Sequence, residues 1–264
     1  MSRPKILLYV DTVSPFAYQA YWLLRASNPV ATCRGRKTLT YAQNDVAFKK
    51  CDVTFVPIFL GGVMMATGNT APIKIKNKDK WIEADRKRWA KAFNIPMKDN
   101  HPPNFPPLTL YIMRALAALT IISSDQEMLC KALDGFFEEF WCKHTEIHKP
   151  EIMERILIET VGEDMASKGL FGFIFRNNVL IRVMSSRLVL TSATAIAMGP
   201  KEGKALLLKN TDQALADGAF GLPWMVCTNA EGKKEGFWGV DHFGQVVDFL
   251  GIDRPKQTGW KALL

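Results

Sequence analysis

A carboxylate, a hydroxyl and a proline follow directly on a run of apolar side chains near the start of this sequence. In Lys5–Tyr18, KILLYVDTVSPFAY, residues Ile6 to Val10 read as a buried strand, and Asp11, Ser14 and Pro15 punctuate it. Ser14 fits the N-cap of a helix and Pro15 its first position, where a missing N–H costs nothing. A strand that runs straight into a helix N-terminus offers backbone N–H groups and the positive end of a helix dipole. Such a junction suits an anion, and a thiolate is one. The same residues also fit an ordinary capped helix start.

Other groups with chemical potential are fewer. His144 and His148 are four apart and could share a helix face as metal ligands do. No third ligand is evident and Pro150 breaks the helix nearby, so no metal site is expected. The five cysteines, Cys33, Cys51, Cys130, Cys142 and Cys227, are odd in number and contain no CxxC pair. With MSRPK leading directly into the first strand and no secretory signal, we expect reduced thiols in an intracellular compartment, without distinguishing cytoplasm, mitochondrion and peroxisome. The net charge of +8 admits an anionic ligand or a nucleic acid. Lys and Arg are nevertheless spread along the chain apart from clusters at 74–80 and 86–91, and no nucleic-acid motif accompanies them. No apolar run is long enough for a membrane span. Neither a GxGxxG fingerprint nor a GxSxG elbow is present.

The elements that must position Ser14 follow from periodicity. Of the 264 residues 48% are hydrophobic and 23% charged, enough to build a sizeable core. Ser14–Ala26 is predicted as the first helix and Val53–Leu60 as a second strand, apolar on both faces and therefore central. Strand, helix and strand at this spacing make a βαβ unit with a parallel pair. Gly61–Ala71 reads as a loop. Helices are predicted over Asp79–Phe93, Pro106–Thr120, Asp125–Cys142, Pro150–Ser167 and Lys201–Asp217, the last ended by Gly218. Strands then return at Pro223–Thr228 and Gly236–Gly239, joined by a hairpin turn at Asn229–Lys234. Asp241 is expected to cap a last helix, His242–Leu250, which Gly251 ends. The order is βαβ, a helical block, then αββα: one α/β domain with an all-helical domain inserted in its middle.

Four stretches, DTVSPFAY at 11–18, FLGGVMMATGN at 59–69, DGAFGLPWMV at 217–226 and FWGVDHF at 237–243, carry a resemblance in this order. The chain resembles the kappa-class glutathione transferases, which share a DsbA-like thioredoxin fold with the 2-hydroxychromene-2-carboxylate isomerases. The resemblance implies a discontinuous thioredoxin-like domain, 1–62 and 200–264, interrupted by a helical insertion, 63–199. It implies glutathione as co-substrate and no metal. Ser14 would hydrogen-bond the glutathione sulfur, with Pro15 and Phe16 beside it. Leu222, ahead of a cis Pro223, would pair its backbone with the cysteinyl part. Asn69 would contact glutathione, and Asp241 would bind the γ-glutamyl amino group. Lys78 would meet a glutathione carboxylate, or is one solvated charge among Lys74, Lys76, Lys78 and Lys80. Val240 stands where the family usually has a small polar residue, so a side-chain donor is lost and weaker glutathione binding is expected.

The implied activity is conjugation of glutathione to small electrophiles, with hydroperoxide reduction within the family's range. Alternatives are a glutathione-dependent cis-trans isomerase and an inactive glutathione-binding or interaction protein. A homodimer is implied. Pro29–Gln43 and Gly169–Ala197 match nothing in the family pattern, and we read one or both as extra sequence of the kind that unspliced introns leave.

Overall fold

In a computed structural model the chain is described over residues 2–25, 48–124, 126–163, 166, 201–254, 258–261 and 263. The two stretches without a family counterpart, 29–43 and 169–197, lie outside the described residues. The apolar run becomes β1 (Lys5–Val10) and the capped segment α1 (Pro15–Arg25). Next come β2 (Asp52–Pro57) and α2 (Leu60–Thr67), then α3 (Lys78–Ala92), α4 (Leu110–Ile122) and α5 (Glu127–Phe137). α5 passes into a π-helical turn, Glu138–Lys143, and α6 (Pro150–Val161) follows. The chain returns through α7 (Lys201–Ala216), β3 (Trp224–Thr228), β4 (Lys234–Trp238), α8 (Phe243–Leu250) and α9 (Thr258–Lys261).

The four strands form one sheet in the order β2-β1-β3-β4. β2 runs parallel to β1, whereas β3 runs antiparallel to both β1 and β4. β1 is buried on both faces, which is why its apolar residues do not alternate with polar ones. Ile6, Leu8 and Val10 enter the main core with Tyr18, Met113, Phe137 and Trp141, and Tyr9 enters a second core with Val63 and Ala214. α4 lies close along α7. A Cβ on Gly203 would stand 2.6 Å from the Arg114 carbonyl oxygen, so only glycine permits this approach.

Three expectations are corrected. β2 is an edge strand, not a central one. Its alternating burial and its terminal Pro57, which lacks a ladder donor, both suit an edge. Gln126 Oε1 accepts the Phe55 N–H at 2.7 Å and covers part of that edge. The segment read as a loop from Gly61 begins as helix α2. Its two glycines lie under the Phe59 ring, where a Cβ on Gly61 would come within 2.8 Å of the ring carbon Cζ. α2 ends at Gly68 in the left-handed region, φ 68°. Finally, Asp241 does not cap the last helix. A 3₁₀ turn, Val240–His242, intervenes, and α8 starts after His242 with no side-chain cap bond.

Candidate active site at the β1–α1 junction

β1 delivers the chain into α1 through Asp11–Ser14. Ser14 Oγ accepts the Ala17 N–H at 3.1 Å, and the Ser14 carbonyl accepts the Tyr18 N–H at 3.1 Å. This is the N-cap expected from the sequence. Pro15 brings no N–H, so Phe16 carries the first-turn amide without a protein acceptor among the described residues. The hydroxyl spends one lone pair on Ala17. Its proton meets no acceptor among the described residues, so it can donate to a ligand. Ser14 is 5% exposed, while Val13, Pro15 and Phe16 are half-buried, so the hydroxyl sits just beneath the surface.

Asp11 lies behind this junction, fully buried. Its Oδ1 accepts the Val13 N–H at 3.1 Å and the Thr109 hydroxyl at 2.8 Å, and its Oδ2 accepts the Leu60 N–H at 2.9 Å. Burial pushes the carboxyl up to about 6, and the three hydrogen bonds limit the rise. The loop is held from the other side by Trp141, whose Nε1–H donates to the Thr12 carbonyl at 3.1 Å.

The chain approaches Ser14 again at the start of β3. Trp224 pairs with Tyr9 near the end of β1, and the Leu222–Pro223 peptide just before it is cis. The Pro223 carbonyl accepts the Gly239 N–H at 3.1 Å, which draws the Val240–His242 turn alongside. Asn69 follows the Gly68 cap of α2, and its Nδ2 donates to the Phe220 carbonyl at 2.7 Å. These bonds tie the Asn69 side chain and the Val240–His242 turn to the segment around Pro223, which enters β3 beside the end of β1 that leads to Ser14.

Two predicted site residues stand differently. Lys78 is exposed at the start of α3, with Lys74, Lys76 and Lys80 exposed beside it, and no contact joins it to Ser14 or Asn69 among the described residues. The Val240 side chain is 1% exposed and packs in the main core, so its backbone is what can face a ligand. A serine there would turn its hydroxyl toward that core.

The Asp241 side chain is 60% exposed, with His242 Nδ1 at 3.3 Å. The Asp241 charge also reaches Asp85 of α3. Burial first, and then the Asp241 charge, raise the Asp85 carboxyl, against a 3.1 Å bond from Trp89 Nε1–H and the nearby Arg88.

Sequence reasoning missed the burial of Asp11, its partner Thr109 and the role of Trp141. A signal for Asp11 was present: a carboxylate directly after five apolar strand residues must be buried and needs donors.

Three of the described thiols are poor nucleophiles. Burial pushes Cys51 up to about 11 and raises Cys142 and Cys227 as well. Cys142 Sγ is also spent on the Pro96 carbonyl at 2.8 Å. Among the described residues no group of three His, Cys, Asp or Glu side chains could hold a metal, and no helix is long and apolar enough to cross a membrane.

A four-stranded mixed sheet, a cis-proline beside the start of its first helix and a run of helices between its strands define a thioredoxin-like protein. A family model described as a DSBA-like thioredoxin domain matches residues 5–168, and the chain belongs to this family. It is similar to glutathione S-transferase kappa 1 of Caenorhabditis elegans, 22% identical over 261 residues that cover 96% of this chain and 93% of the relative. It is also similar to glutathione S-transferase kappa 2 of the same organism, 25% identical over 254 residues, covering 94% and 92%. Among solved structures, a 2-hydroxychromene-2-carboxylate isomerase shares the fold with a TM-score of 0.61 at 17% identity, covering 94% of each chain. A probable DsbA oxidoreductase of Streptomyces coelicolor shares it with a TM-score of 0.56 at 14% identity, covering 96% and 93%.

Proposed function

We propose that the chain is a glutathione transferase of kappa type, which holds the glutathione sulfur as a thiolate at Ser14 for attack on small electrophiles. The observation that carries this reading is the Ser14 hydroxyl, which caps α1 with its oxygen and, among the described residues, keeps its proton free beside an unpartnered Phe16 amide. Both donors lie at the positive end of α1, where a bound thiol gives up its proton more readily. The thiolate then attacks the electrophile, a carbon–sulfur bond forms, the leaving group departs with its electron pair, and glutathione leaves as the thioether. Ser14 is not consumed.

On this reading the cysteinyl backbone pairs with Leu222 ahead of Pro223, Asn69 closes one side, and Asp241 with Asp85 takes the γ-glutamyl ammonium. Lys78 reaches the glycyl carboxylate, and Val240 offers its backbone N–H. The halves 1–62 and 200–264 carry Ser14, Leu222, Pro223 and Asp241, and the helical insertion 63–199 brings Asn69, Lys78 and Asp85. The likeness to two proteins named glutathione S-transferase kappa supports the reading. The lack of a CxxC pair in the sequence and the raised Cys51, Cys142 and Cys227 thiols speak against dithiol–disulfide exchange, although the fold is shared with oxidoreductases.

The test is conjugation of glutathione to a chlorinated nitrobenzene, followed by thioether absorbance, with sedimentation to check for the implied homodimer. Turnover that requires both glutathione and Ser14 supports the transferase. Binding of glutathione without any conjugation, together with catalysed rotation about a conjugated double bond that leaves glutathione unconsumed, moves the assignment to an isomerase. Absence of glutathione binding refutes both.

A further inference from the structure

The buried carboxylate of Asp11 touches neither sulfur nor electrophile in this reading, and no cation pairs with it among the described residues. Its three donors come from three parts of the chain. The Val13 N–H belongs to the junction loop, the Leu60 N–H opens α2, and the Thr109 hydroxyl precedes α4. Asn69 follows the Gly68 cap of α2, and its amide holds the Phe220 carbonyl ahead of the cis peptide. One carboxylate therefore fastens the Ser14 side of the cleft to the Asn69 side. An ionised carboxyl is costly to bury, and a neutral side chain would fill the same space without that cost. A neutral amide has an acceptor on one atom only, so it could serve Val13 and Thr109 but would turn a donor toward the Leu60 N–H.

We propose that Asp11 is a positioning residue: in its ionised form it locks the Ser14 junction to α2 and so sets the cleft in which glutathione lies. The ligand in this statement rests on the glutathione reading, and the lock rests on the geometry. When Asp11 takes up a proton, one of its oxygens becomes a donor and a bond to the loop or to α2 is lost. The cleft therefore loosens on acidification, around the value of about 6 to which burial raises this carboxyl. The groups that reach the carboxylate from its own loop, from α2 and from the approach to α4 are two amides and a hydroxyl, and among the described residues no charged side chain contributes to its shift. Asp241, His242 and Asp85 are the charged or titratable groups near the Val240–His242 turn, so the Asp11 contribution is isolated by substitution.

The test is calorimetric binding of S-methylglutathione, which has no thiol to ionise, from about pH 5 to about pH 8. Wild type is compared with Asp11→Asn and Thr109→Val, and amide hydrogen exchange is measured on the free proteins. Wild-type affinity is expected to fall below about pH 6, while Asp11→Asn binds on the order of tenfold more weakly above pH 7 and lacks that acid limb. Thr109→Val removes a bond that favours the ionised form, so its acid limb moves to higher pH. Exchange at Leu60 and Val13 is expected to accelerate in Asp11→Asn. Wild-type affinity with an unchanged acid limb in Asp11→Asn overturns the proposal while leaving the glutathione reading intact. If wild type binds no S-methylglutathione, the glutathione reading falls and exchange alone decides: acceleration at Leu60 and Val13 upholds the lock, and unchanged exchange overturns it.

Discussion

Ser14 is given two tasks that can be separated by a pair of substitutions. Its oxygen accepts the Ala17 N–H at 3.1 Å, and its proton is left for a ligand. Ser14→Ala removes both. Loss of the cap costs about 1 kcal/mol, whereas glycine at the same position costs only a few tenths. For a chain of this size 1 kcal/mol lowers Tm by about 2–4 °C, so alanine is expected to show that shift and glycine very little. The hydrogen bond to a thiolate is worth more, about 1.5–3 kcal/mol, because its partner is charged. Either substitution should therefore raise the pKa of bound glutathione by about 1–2 units, at 1.36 kcal/mol per unit. Thermal unfolding without ligand reads the first effect. Ultraviolet difference titration of bound glutathione, in which the thiolate absorbs and the thiol does not, reads the second. The expected result is equal loss of thiolate in both variants with loss of stability in alanine alone. If glycine keeps the thiolate while alanine loses it, the effect runs through the helix start and the hydroxyl is not the donor. If neither loses it, Ser14 has no part in ionising the sulfur.

Three further outcomes follow from the geometry. The Asp11 carboxyl, raised to about 6 in the fold, lies above its ordinary unfolded value of about 3.9. Its contribution to stability is therefore fully present below about pH 4 and is lost as pH rises through about 6, a change of about 3 kcal/mol. Between those limits the stability of Asp11→Asn relative to wild type should improve by that amount in chemical denaturation, and parallel pH curves would refute it. Asp241→Asn should weaken glutathione about tenfold, as expected for a lost bond to a charged group, and Asp85→Asn less. A des-amino glutathione, lacking the γ-glutamyl ammonium, should be insensitive to both, and equal sensitivity would place that group elsewhere. Gly203→Ala drives a methyl to 2.6 Å from the Arg114 carbonyl oxygen, so α4 and α7 must part. A loss of about 1–3 kcal/mol in denaturant unfolding is expected, with glutathione binding retained.

What could be read from the sequence was local. The β1–Ser14–Pro15 arrangement was legible because an apolar run, a hydroxyl and a proline occupy adjacent positions and act on one turn of backbone. α2 was hidden because Gly61 and Gly62 argue against a helix, and the Phe59 ring that accounts for them becomes visible only in three dimensions. β2 looked central because helices cover it, and Pro57 was the overlooked mark of an edge. Asp241 looked like a helix cap because no periodicity distinguishes a 3₁₀ turn from the first turn of an α-helix. The Asp11 partners Leu60 and Thr109 lie 49 and 98 residues away, and no window along the chain brings them together.

The indole of Trp141 ends on a carbonyl 129 residues distant, in the loop that carries Ser14. An appended module could be lengthened or lost while its host went on folding by itself. Here the apolar interior runs unbroken from Ile6 and Leu8 through Met113 to Trp141, so sheet and helices should melt in one cooperative transition. Timing during synthesis is affected as well. Ser14 leaves the ribosome more than 200 residues ahead of β3 and Asp241. The junction must wait, strand-like and apolar, for partners more than 200 positions downstream, and contacts of such separation form slowly. During that wait β1 is the segment most in need of protection from other chains.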